Sequence, residues 1–228
     1  MNLRDDSTAS PAARPALRTV GLTQPTATRP DDATLAAHLA RRQYGRFTLT
    51  DAVRPGWQLD VVPQAGYRYD SWVDPRGGGR LSALAAAISS EDLFETFIEL
   101  LEPLGDTVDI VIESSHEEAT GRVERTREGI ERLVLESLLW DFEDLLLNDG
   151  CTGIAVLHPE RSLEVQLDEH KLLVIYAESR LPFERLLRGR GLVRDDRMKF
   201  ISQGEHLHTS HTRYARRFEE LAARLGAE

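Results

Sequence analysis

At 228 residues the chain is long enough for one substantial core and a smaller appendage, since domains commonly run from about 50 to 250 residues. Its 41% hydrophobic content excludes global disorder, and a formal charge of -10 argues against general adhesion to nucleic acid, which depends on neutralising phosphates. The single cysteine, Cys151, excludes an intrachain disulfide framework; with no apolar run near the roughly 20 residues that cross a bilayer and no apolar signal core at the N-terminus, the expectation is a cytoplasmic protein.

Residues 1–32 hold Pro11, Pro15, Pro25 and Pro30 among Ala, Thr, Ser and Arg, and read as a flexible leader. Residues 33–76 read as a small β-rich extension packed on the main domain. A short helix over 34–44 leads into alternating segments at 47–50, 57–61 and 67–72, the pattern of an antiparallel meander too small to stand alone. Pro75 and the glycines 77–79 make a hinge; no Gly-Lys-Ser/Thr follows them, so a phosphate loop is not indicated.

Residues 80–228 read as an αβ main domain. Leu93, Phe97 and Leu101 at four-residue spacing, with Phe94 and Ile98 beside them, predict a helix capped by Ser89 or Ser90 and closed by Pro103 and Gly105. Residues 108–113 predict a strand, and Ile130, Leu133, Val134, Leu138, Phe142 and Leu145 predict a second helix over 125–147, terminated by Asn148-Asp149-Gly150. Three strands at 153–157, 163–167 and 172–177 follow at hairpin spacing. A short helix near Pro182, a strand at 198–201 and a last helix from Ser210, burying Tyr214, Phe218, Leu221 and Leu225, complete the chain. These elements predict an α+β fold, a layered αβ sandwich with a mixed or largely antiparallel sheet. No glycine fingerprint for a dinucleotide follows any strand.

The densest coordinating stretch is 204–211, with three of the seven histidines. If the strand continues, His206 and His208 project to one face and Glu205 to the other. His211 returns toward them from the last helix, and Asp168 or His170 from the preceding hairpin could add a ligand. This set points to zinc, or with carboxylates to another divalent metal, and to a metal-dependent hydrolase in which the ion acidifies water and polarises an oxygen-rich substrate. The spacing matches neither a helical His-Glu-x-x-His motif nor a paired cysteine site.

The same junction admits an anion site for a phosphate or nucleotide, in which Thr209, Ser210, Arg213 and Arg217 join the helix N-terminus; equally, Thr209 or Ser210 simply caps that helix. A secondary cluster, Glu113, His116 and Glu117, follows a strand and could hold a metal or orient His116 as a base. Cys151 reads as a buried, inert thiol at a strand start. Finally, residues 81–121 contain ten acidic side chains and no Lys or Arg, whereas 180–225 contain eleven basic and six acidic ones. Such polarity could seat one layer on another or recruit a protein partner or a second copy. The leading expectation is therefore a non-enzymatic intracellular binding or assembly protein, with the metal-dependent hydrolase and the phosphate-binding domain as alternatives.

Overall fold

The computed structural model describes residues 31–73, 80–116 and 121–228, with the backbone alone for 72, 73, 80 and 81. Most of the leader, the hinge at 75–79 and Glu117 lie outside the described residues. The fold is α+β, built on a seven-stranded antiparallel sheet.

Helix α1 (Asp32–Ala40) begins at Asp31, whose carboxylate accepts the Thr34 amide at 2.7 Å. Short strands β1 (Gln43–Tyr44) and β2 (Phe47–Thr48) pair with each other, and β3 (Val53–Pro55) follows. The main sheet comprises β4 (Gly66–Val73), β5 (Arg80–Ala87), β6 (Thr107–Ser114), β7 (Val123–Glu131), β8 (Thr152–Leu157), β9 (Glu164–Leu167) and β10 (Leu172–Tyr176). Its order is β4-β5-β10-β9-β8-β6-β7. Helices α2 (Ser90–Glu99), α3 (Arg132–Trp140), α4 (Glu143–Asn148) and α5 (Leu181–Gly189) precede the short strand β11 (His206–His208) and helix α6 (Thr212–Leu225). No helix among the described residues is long and apolar enough to cross a membrane.

Register sorts the strand side chains into two faces. Ile112, Ile154, Leu167, Leu173, Ala86 and Tyr67 form one transverse row, and Ile110, Val156, Val165, Ile175 and Leu84 the next. Both rows pack with Phe94 and Phe97 of α2, Leu135 and Leu139 of α3, Phe183 and Leu187 of α5, and Tyr214, Phe218 and Leu221 of α6, in one large core. The opposite face carries Ala85, Ala87 and Leu172, which pack with Tyr44, Phe47, Leu49 and Val53 and with Met198, Phe200 and Ile201 in a smaller core. Small alanines let these irregular segments approach the sheet closely.

Several local expectations change. The 125–147 helix is replaced by a strand, a helix and a further short helix: β7, then α3, then α4 after a break at Asp141–Phe142. The helix expectation rests on apolar positions from Ile130 onward, and residues 125–129 carry no apolar side chain to fix a period; they belong to β7, whose partners are β6 and the C-terminal Glu228, which exchanges two backbone hydrogen bonds with Thr126. Residues 198–201 are not a strand but end in a 3₁₀ turn, Ile201–Gln203, and 57–61 form a turn instead of a strand. The 67–72 segment is an edge strand of the main sheet, paired with β5 along its length. The acidic and basic halves also meet within the one chain, at its surface, where Arg190 after α5 engages Glu95 and Glu99 of α2.

Candidate metal centre

Strand β11 is bound to β3 by antiparallel pairing of His206 with Pro55, Leu207 with Arg54 and His208 with Val53. Arg54, buried, steadies β3 by donating to the carbonyls of Leu39, Thr50 and Val53 and to the Asp51 carboxylate. From β11 the chain passes Gly150, whose amide donates to Thr209 O at 2.9 Å while the Thr209 amide donates to Ala52 O at 2.8 Å. A Cβ on Gly150 would stand 2.3 Å from Ala52 O, so only glycine allows this close approach. The β3–β11 ribbon is thereby fastened against the start of β8.

Two-residue strand periodicity puts the rings of His206 and His208 on one side and leaves Leu207 49% exposed on the other. His170 reaches the same point from the β9–β10 turn. There Asp168 Oδ1 accepts the amides of His170 (3.0 Å) and Leu172 (2.8 Å), and Lys171 adopts φ 62°. The three rings meet with centroids 4.8 to 5.1 Å apart, edge to face.

Their hydrogen bonds define the tautomers. His206 Nδ1 lies 2.8 Å from Gly204 O, and His208 Nδ1 lies 2.6 Å from Gly150 O. His170 Nδ1 lies 3.2 Å from Asp168 Oδ2. A carbonyl or carboxylate oxygen only accepts, so each Nδ1 carries the proton and each neutral ring keeps its lone pair on Nε2. One ligand atom from each ring lies within 4.8 Å of the others, and the Nε2 atoms of His170 and His206 are 3.2 Å apart. Two lone pairs at that distance repel unless a cation or proton lies between them. Ligand nitrogens bound tetrahedrally at about 2.0–2.1 Å are about 3.3–3.4 Å apart, so the spacing suits a small divalent ion.

Local charges favour a cation as well. Burial works against protonation of His170, but the Asp168 carboxylate, with Glu169, outweighs it and holds the pKa above the usual histidine value. His208 lies below that value because burial and the neighbouring His170 and His206 outweigh the Gly150 carbonyl. Behind the rings, Lys171 is buried and donates from Nζ to Thr152 O at 2.7 Å; burial pushes its pKa down to about 8 against the pull of Asp149, Asp168 and Glu169. Arg122 lies 2.5 Å from Glu113 and 3.9 Å from Glu169.

The remaining sequence candidates occupy other positions. His211 is the N-cap of α6 and lies against Tyr214 with ring centroids 6.0 Å apart, outside the three-ring cluster. Helix α6 starts at Thr212, later than expected, and His211 replaces Thr209 or Ser210 as its cap; no side chain supplies a capping hydrogen bond. Thr209 contributes backbone bonds to Ala52 and Gly150. Arg213 engages Tyr214 and Asp144, and Arg217 engages Glu220 and the Asp141 carbonyl, so both guanidinium groups face protein acceptors. Asp168 orients His170 through Nδ1. His116 pairs not with Glu113 but with Asp149, Nε2 to Oδ2 at 2.8 Å.

Sequence reading passed over Asp149, Gly150, Lys171 and Arg122. Asn148-Asp149-Gly150 carries a helix-end signal so plain that its second task was hidden: Asp149 is fully buried, and Gly150 presents its carbonyl to His208. Comparison of the chain with protein-family models, curated proteins and solved structures finds no match.

Proposed function

We propose that the protein is a metal-dependent hydrolase whose divalent ion, zinc by the chemistry of its donors, is held by Nε2 of His170, His206 and His208. The observation that carries this reading is the convergence of one ligand atom from each ring, with Nε2 of His170 and His206 3.2 Å apart, beside three Nδ1–H groups each held by an oxygen. Outer hydrogen bonds of this kind set the tautomer and orientation of metal-binding imidazoles. Three protein ligands leave a fourth position, and the exposure of His208 supports access to it from solvent. An ion there would supply Lewis-acid activation of water and of an oxygen-rich substrate such as an ester or phosphoester. Asp168 holds His170 in its ligating tautomer, and the carbonyls of Gly204 and Gly150 do the same for His206 and His208.

The test is elemental analysis of the full chain purified with zinc or manganese supplementation, beside His206→Ala and His208→Ala. Each variant is expected to lose one equivalent of metal, along with metal-dependent hydrolysis of an ester and phosphoester panel. Unchanged metal content in both variants would overturn the reading.

A second reading, assembly with a protein partner or a second copy, is favoured by the outer face of α3. Leu133, Val134 and Trp140 are exposed there beside a shallow depression lined by Leu138, Asp141 and Arg224. Sedimentation of the wild type and of Leu133→Asp over a concentration series tests self-association; identical monomeric behaviour removes the second copy from this reading.

A further inference from the structure

A second group of coordinating side chains lies beyond the three-histidine centre. His116 follows β6 and Cys151 precedes β8, and these neighbouring antiparallel strands are paired through Ser114 and Thr152. The Ser115 amide donates to Cys151 O at 2.9 Å, fastening the two strand ends together. Asp149, fully buried, comes from the end of α4, where its amide still donates to Leu145 O at 3.1 Å. One ligand atom each from His116, Asp149 and Cys151 lies within 4.8 Å of the other two.

We infer that His116, Asp149 and Cys151 form a second cation site, distinct in chemistry from the first and selective for a thiophilic ion of the zinc class. Imidazole, carboxylate and thiolate together match the donor set of such ions, and the sulfur excludes magnesium and calcium as natural occupants. The ligands sit on strand and helix ends already fixed by backbone bonding, so little ordering is needed on binding. Asp149 is also held from behind: Thr152 Oγ1 donates to Oδ2 at 2.5 Å, and the Cys151 amide lies 3.4 Å from Oδ1.

Proton balance is simple. His116 moves its proton from Nε2 to Nδ1, the Cys151 thiol releases one proton to solvent, and Nε2 and Oδ2 part from 2.8 Å to about 3.3 Å to admit the ion. The two sites share the 149–151 loop, since the Gly150 carbonyl accepts from His208 Nδ1.

Cadmium titration of the reduced full chain isolates this site, because Cys151 is the only cysteine and the three-histidine centre contains no sulfur. A saturable thiolate-to-cadmium absorption near one equivalent is expected. It should survive in His206→Ala, disappear in Cys151→Ser, and require about tenfold or more cadmium in His116→Ala, with circular dichroism confirming that each variant folds. No saturable absorption in the wild type, equal saturation in His116→Ala, or loss in folded His206→Ala would each overturn the site. Because His206→Ala removes the first centre alone, failure of one site is distinguishable from failure of the other.

Discussion

The two faces of the seven-stranded sheet solve opposite problems. On one, α2, α3, α5 and α6 cover rows of Ile, Val and Leu in a large apolar core. On the other, the covering segments are a short ribbon, turns and a 3₁₀ turn, which bury fewer apolar side chains. Beside this thinner cover, at the end of the sheet where β8 and β10 begin, His170, Lys171, Asp149 and the β11 histidines gather. Regular helices satisfy their own backbone and can present pure hydrocarbon to a sheet. Irregular segments must find partners for exposed peptide groups, and those same carbonyls, of Gly150 and Gly204, orient the imidazoles. The large apolar core and the three-histidine centre thus occupy different parts of the molecule.

Truncation on the helical face should have the largest effect. Phe97→Ala, which removes a fully buried ring from α2, is expected to cost about 3–5 kcal/mol in urea denaturation, while leaving metal content per folded molecule unchanged; loss of metal would mean that the faces are not separable. Gly150→Ala should cost about 2 kcal/mol, because the added Cβ overpacks against Ala52 O, and should also weaken metal binding through His208. A stable variant with full metal affinity would deny the junction its role.

Asp168→Asn should do the reverse. It retains an acceptor for the turn amides but weakens the hold on His170 Nδ1, so metal affinity measured by competitive chelation should fall about 10–100-fold, or about 1.4–2.7 kcal/mol, with little change in chelator-treated stability.

The smallest effect belongs to the far edge of the sheet. Tyr67 and Tyr69 both donate their hydroxyls to Glu184. Burial, reinforced by the Glu184 hydrogen bond, pushes the Tyr67 pKa up to about 12. The folded state therefore keeps a proton that the unfolded state loses near pH 10, so this stability is complete below that pH and disappears as pH rises toward about 12. After allowance for solvent screening the loss is about 1 kcal/mol. Tyr67→Phe should flatten the alkaline slope of the urea midpoint without altering metal content.

Sequence periodicity identified α2, the three strands β8 to β10 and α6 closely, because each has a buried apolar stripe or run of its own. It failed where an element has none. Val123–Glu131 is charged along its length and becomes a strand through pairing with β6 and the C-terminus, whereas Met198, Phe200 and Ile201 are apolar yet find no strand partner and fill the smaller core instead. The pairing of His206 with His208 was legible from the two-residue period of an extended chain. His116 was legible as a polar group after a strand, but its partner Asp149 was not.

Local sequence alone determined the α+β pattern, the acidic and basic halves, and two imidazoles on one side of β11. It could not determine that His170, 36 residues before His206, would complete the cluster while His211, five residues after it, would turn away toward Tyr214. That choice required β11 to pair with β3 and Gly150 to admit Thr209 at contact distance. Nearness in sequence places His206 and His208 together, but which third side chain joins them depends on distances between strands, and these are set by long-range backbone pairing.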